Sequence, residues 1–125
     1  MANKKILLVD DDKDLLRGMS VSLRASGYDV VTAQDAIGAV STARQARPDL
    51  VVLDIGLPGG DGFIVMERIG LLMAFIPIIV VSAKESGPNR ERALKAGAQA
   101  FFQKPVDRKS FMAAVQHALG EPVQQ

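Results

Sequence analysis

The run Leu50-Val51-Val52-Leu53 has no polar residue on either side of a strand's alternation, stops at Asp54, and passes into a turn containing Gly56, Pro58, Gly59, Gly60 and Gly62. A strand with one face in water alternates apolar and polar residues. A run apolar at every position needs cover on both faces, which a parallel sheet flanked by helices supplies. Such a strand delivers its last residue to the carboxyl edge of the sheet, the edge where ligands bind in open α/β folds. Four other segments read as strands: Lys5–Val9 and Ile78–Ser82 from apolar runs, Tyr28–Ala33 from its β-branched Val30-Val31-Thr32, and Ala100–Gln103.

The segments between them carry helical spacing. Leu15, Leu16, Met19 and Leu23 recur every three or four residues, with Asp12 placed as N-cap and Gly27 as the stop. Asp35 opens a second helix with Ile37, Val40 and Ala43 inward, and Pro48 ends it. Asp61 or Gly62 starts a third, with Phe63, Met66 and Ile69 on one side. A fourth starts at Pro88 or Asn89, because Pro88 cannot sit deep in a helix, carries Ala93, Leu94 and Ala96, and stops at Gly97. Asp107 caps the last, which bears Phe111, Val115, Ala118 and Leu119 and closes at Gly120. Strand and helix alternate five times with short links, so βαβ units with right-handed crossovers and an α/β fold are expected.

Composition narrows the function classes. With 125 residues, 48% apolar and 23% charged, the chain suits one folded domain, read as residues 1–120, with residues 121–125 as a C-terminal tail or the start of a linker. The net charge of +1 gives no general attraction to nucleic acid or anionic membrane, so no direct nucleic-acid binding by this domain is expected. The absence of cysteine removes thiolate chemistry, and no apolar run is long enough for a signal peptide or membrane span; a cytoplasmic location is the default.

The chemistry is concentrated at strand ends. Asp10-Asp11 follow the first strand, Asp54 ends the third, Ser82 ends the fourth and Lys104 follows the fifth. A parallel sheet puts all of these ends on one edge. Carboxylates gathered there repel one another unless a cation intervenes. Mg²⁺ prefers oxygen ligands and would also neutralise an incoming phosphoryl group, so Asp54 is a candidate nucleophile, with Lys104 and Ser82 as partners of phosphoryl oxygens.

These residues, in this order and with the Leu57-Pro58-Gly59-Gly60-Asp61-Gly62 loop, the Ser82-Ala83 pair and the Lys104-Pro105 pair, resemble the receiver domain of two-component response regulators across about residues 4–120. The resemblance implies a flavodoxin-like, doubly wound sheet of five parallel strands in the order 2-1-3-4-5. It implies a phosphoryl group taken onto Asp54 from a sensor histidine kinase or phosphotransfer protein. It implies Mg²⁺ held by Asp11, Asp54 and the backbone carbonyl of Gly56, with Asp10 acting mainly through water, and a cis bond between Lys104 and Pro105. It also implies a switch in which Ser82 moves toward the new oxygens, Phe101 turns inward, and a downstream output domain or protein reads the change on the fourth helix, fifth strand and fifth helix. Gly56 and Lys84 stand where the family tunes the lifetime of the phosphoryl group; Gly56 has no side chain to steer water, so slow self-dephosphorylation is expected.

Simpler readings compete. Asp10 to Asp12 could be only caps and first-turn acids, and Asp12 itself reads as a cap. Arg90, Glu91, Arg92 and Lys95 read as a solvated face, and His117 as a solvated side chain. The stretch Gly70 to Ile76 is unusually apolar and could form an exposed patch for a partner or a dimer. The chief functional rival is a Mg²⁺-dependent aspartate-nucleophile phosphatase of the haloacid dehalogenase type, since Asp10-x-Asp12 after a strand resembles that family's first motif. Against it, no acidic pair follows Lys104 late in the chain. A flavin-binding module is disfavoured because no Ser/Thr/Gly-rich loop follows the first strand.

Overall fold

The computed structural model describes residues 3–83 and 87–122. Five strands, β1 (Lys5–Val9), β2 (Asp29–Ala33), β3 (Leu50–Asp54), β4 (Ile78–Ser82) and β5 (Ala100–Gln103), alternate with five helices, α1 (Lys13–Ala25), α2 (Ala36–Ala46), α3 (Gly62–Leu72), α4 (Gly87–Lys95) and α5 (Arg108–Ala118). All strand pairs are parallel and the order is β2-β1-β3-β4-β5. This is the parallel sheet, covered on both faces, that the apolar runs require, in the doubly wound order that the resemblance implies.

Alternation along each strand divides the core in two. Leu7, Val9, Val51, Leu53, Ile78 and Val80 pack with α2, α3 and Ala93 of α4. Ile6, Leu8, Leu50, Val52, Ile79 and Val81 pack with α1 and α5. Phe101 joins the first layer and its neighbour Phe102 the second, as adjacent strand residues must. Phe102 meets Phe111 of α5 edge to face, ring centroids 6.0 Å apart.

Aspartates start the helices. Asp12, Asp35, Asp61 and Asp107 are the N-caps of α1, α2, α3 and α5, each accepting backbone N–H bonds from the first turn. Asp61 is therefore a cap, and Arg92 approaches its carboxylate at 3.9 Å while stacking its guanidinium over Phe63.

Three sequence expectations need correction. Ile37 does not face inward: it is 78% exposed, and α2 meets the sheet through Ala36, Ala39 and Ala43 instead. Both sets repeat every three or four residues, so periodicity alone does not choose between them; the alanines win because they let the helix lie close to the sheet. In α4, Leu94 is 43% exposed, and Ala96 lies just past the helix and is exposed, leaving Ala93 as the core contact. Helix α4 also starts one residue early, at Gly87, with Pro88 in the first turn, where its missing N–H would have had no helical partner. Lys84, to which the sequence assigned a tuning position, lies outside the described residues.

Candidate functional site

Strand register assembles the site. Val9 pairs with Leu53, Asp54 with Val81 and Ser82 with Gln103, so the carboxyl ends of β1, β3, β4 and β5 form one row. The ladder runs one bond past the strands: Ile55 N–H donates to the Val81 carbonyl and Lys104 N–H to the Ser82 carbonyl at 2.9 Å. Asp10 and Lys104 are thereby carried to either side of Asp54.

Asp10 and Asp54 are buried, 4% and 5% exposed, whereas Asp11 points to solvent. The Lys104 ammonium sits between the buried pair, 2.8 Å from Asp10 Oδ2 and 3.1 Å from Asp54 Oδ2. The other oxygens are fixed by main chain. Asp12 N–H donates to Asp10 Oδ1 at 2.9 Å, and Gly56 N–H to Asp54 Oδ1 at 2.8 Å. These two backbone donors, each two residues beyond its carboxylate, are turn contacts that the sequence reading did not single out.

The electrostatics pull in opposite directions. Burial raises the Asp10 pKa, and the nearby Asp54 charge adds to it, against the opposing effects of Lys104 and the Asp12 N–H. For Lys104, burial disfavours the charged form, but its hydrogen bonds to Asp10 and Asp54, and their charges, outweigh burial and raise its pKa. Lys104 is accordingly a fixed cation, while Asp10 holds a carboxylate charge that one ammonium only partly compensates.

Asp10, Asp11 and Asp54 each offer a carboxylate oxygen, and these oxygens lie within 4.8 Å of one another. An all-oxygen donor set with surplus negative charge suits a hard divalent cation, so the residues fit Mg²⁺. Ser82, 2% exposed, ends the neighbouring strand on the same edge. Phe101, three residues before Lys104, packs with the α2–α3–α4 layer and stands outside the acidic cluster. The Lys104–Pro105 peptide bond is cis. Arg90, Glu91, Arg92, Lys95 and His117 are all exposed, but Arg92 stacks on Phe63 rather than being simply solvated.

Comparison with known proteins gives the family. The family profile described as "Response regulator receiver domain" matches residues 6–116, and the chain belongs to that family. It is 36% identical over 119 residues to the transcriptional regulatory protein PrrA of Mycobacterium tuberculosis, covering 95% of this chain and 51% of PrrA. It is 36% identical over 117 residues to the alkaline phosphatase synthesis transcriptional regulatory protein PhoP of Bacillus subtilis, covering 94% of this chain and 49% of PhoP. The chain thus spans about half the length of these curated relatives. Among solved structures, a CheY-like receiver domain from Methanospirillum hungatei superposes with a TM-score of 0.90 at 29% identity, covering 95% of each chain. The chemotaxis protein CheY4 of Vibrio cholerae does so with a TM-score of 0.86 at 28% identity, covering 94% of this chain and all of that one. The chain is a receiver domain, the phosphorylation-dependent signalling module of two-component response regulators. The phosphatase alternative finds no support among these matches. Among the described residues no helix is long and apolar enough to cross a membrane.

Proposed function

We propose that Asp54 is the phosphoacceptor of this receiver and that Asp10, Asp11, Ser82 and Lys104 complete its site. The observation that carries the reading is the convergence of the segments after β1 and β5 on the carboxylate that ends β3: Lys104 Nζ lies 3.1 Å from Asp54 Oδ2, with oxygens of Asp10 and Asp11 within 4.8 Å. An Asp54 oxygen attacks phosphorus, the bond from phosphorus to the donor's leaving atom breaks, and an acyl phosphate remains on Asp54. Gly56 N–H and Lys104 orient the carboxylate for that attack. Lys104 is placed to exchange its Asp54 contact for a phosphoryl oxygen, and the Ser82 hydroxyl donates to another.

Asp11, Asp54 and the Gly56 carbonyl would hold Mg²⁺, with Asp10 nearby. When bound, the ion supplies charge neutralisation at the phosphoryl oxygens. The donor is a sensor histidine kinase or phosphotransfer protein. A groove of about 590 Å³ between α1 and α5, with Asp12 and Lys104 among its lining residues, supports approach of a protein donor from that side. A downstream output domain or protein reads the result through movement of Ser82 and Phe101. The module comprises residues 1–120, with residues 121–125 as a C-terminal tail or the start of a linker. Gly56 leaves the position two after Asp54 without a side chain, so the phosphoprotein is expected to lose its phosphoryl group slowly; decay within seconds at neutral pH in Mg²⁺ would overturn that.

The test is exposure of wild type and Asp54→Asn to Mg²⁺ with beryllofluoride or a small phosphodonor. Amide NMR shifts around Asp54, Ser82 and Lys104 and a one-phosphoryl mass gain are expected in wild type only. Equal responses, or an acyl phosphate mapped to Asp10, would sink the assignment.

A further inference from the structure

We infer that the groove between α2 and α3 is a docking site for an acidic amphipathic helix of a partner protein. The groove encloses about 330 Å³, and Ile37, Val40 and Arg44 of α2 face Ile64 and Arg68 of α3 across it. Helix α2 buries three alanines and leaves its largest apolar side chain, Ile37, 78% exposed. Helix α3 also exposes Ile64, which lines the groove, and Leu71, 82% exposed, which lies beyond the lining residues. Ile64 and Leu71 are seven residues apart, close to two turns, so they share a face about 10 Å long.

Among the described residues, the other large exposed apolar groups fall into two sets. Val21 and Leu94 stand on α1 and α4, whereas Phe75, fully exposed, follows α3 directly. Phe75 also has a φ of 67°, a left-handed conformation that a bulky residue adopts only at a cost. The apolar exposure of this domain is therefore concentrated on α2, α3 and the turn after α3. Apolar anchors spaced by one and two helical turns fit a partner helix laid in a groove.

Charge selects the kind of helix. Arg44 and Arg68 flank the apolar floor, and the one acid among the lining residues, Asp61, has Arg92 3.9 Å away. The groove thus presents apolar surface edged by two guanidinium groups. A second copy docking face to face would bring arginines against arginines, which opposes self-association. A helix with apolar anchors at i, i+3 and i+7 and glutamates beside them satisfies both features. This inference does not depend on Asp54 accepting a phosphoryl group.

The experiment is an NMR titration of the whole chain with a synthetic helical peptide carrying leucines at i, i+3 and i+7 flanked by glutamates. A second peptide has lysine in place of each glutamate. Saturable shifts centred on Ile37, Val40, Ile64 and Arg68 are expected with the acidic peptide only. Arg44→Glu with Arg68→Glu, both at exposed positions, should weaken the acidic peptide at least tenfold and admit the basic one. Ile37→Ser with Ile64→Ser should abolish binding of the acidic peptide while leaving the melting temperature nearly unchanged. Absence of saturable shifts, shifts centred elsewhere, or indifference to the charge reversal would overturn the proposal. So would sedimentation showing a wild-type dimer that Ile37→Ser with Ile64→Ser dissolves, because the occupant would then be a second copy.

Discussion

Lys104 is the residue on which the site's balance turns. Its ammonium is the counter-charge for Asp10 and Asp54, both buried, and only 20% of its side-chain surface reaches solvent. Removing one partner of such a cluster leaves carboxylates facing each other in a poorly solvated space. Lys104→Ala should therefore destabilise the metal-free domain by about 3 kcal/mol, the low end for a buried pair because the lysine is partly exposed. Mg²⁺ should recover much of that loss in the variant, because a divalent cation supplies the missing positive charge. Thermal melts of wild type and variant, with and without the ion, check this; an equal Mg²⁺ effect on both would be the contrary result. The sequence marked Asp10, Asp11, Asp54 and Lys104 as a group because each follows a strand. It did not indicate that Lys104 bridges two carboxylates, nor that the Asp12 and Gly56 N–H groups orient them, since both are consequences of distances set by the fold.

At the scale of elements, the β3–α3 connection is held by a glycine whose role is spatial. A Cβ on Gly62 would stand 2.3 Å from Ile55 Cα and 2.6 Å from its carbonyl oxygen, both backbone atoms that cannot swing aside. This close approach folds the loop back over the end of β3 and sets where Asp54 and Gly56 sit. Gly62→Ala should cost about 3 kcal/mol or more in chemical denaturation, at or beyond the upper end of overpacking penalties. Gly18, inside α1, is the contrast: a Cβ there meets nothing within 4 Å. Gly18→Ala should stabilise the domain by about 0.5–1 kcal/mol through helix propensity alone. Reversal of that order would show that the loop, not the glycine, sets the approach. Sequence reading saw Gly62 only as a helix start, because close contact between Gly62 and Ile55 leaves no trace in periodicity.

At the scale of the molecule, the chain's single tyrosine ties the segment before β2 to the segment after α5. Tyr28, buried just before β2, donates its hydroxyl proton to Glu121 beyond α5. Burial first, then the bond to Glu121 and its charge, push the Tyr28 pKa up from 10.0 to about 12. The fold favours the protonated phenol, so this contribution to stability is complete below pH 10 and is lost as pH rises from 10 to about 12. Absorbance titration, free of interference from other tyrosines, should place the folded midpoint near 12 and the urea-unfolded midpoint near 10, with Glu121→Gln moving the folded value down. A folded midpoint unchanged by Glu121→Gln would remove the bond from the account. Amino-acid order alone determined a parallel α/β sheet covered on both faces, five strands, the capping aspartates and which strand ends carry polar groups, because apolar runs and helical spacing are local signals of burial. Only the tertiary structure decided that alanines rather than Ile37 seat α2, that Lys104 lies between Asp10 and Asp54, that Gly62 must be bare, and that Glu121 reaches Tyr28. Each of these depends on how closely two distant segments approach, and that distance is settled by packing the whole sheet and its two helical layers at once.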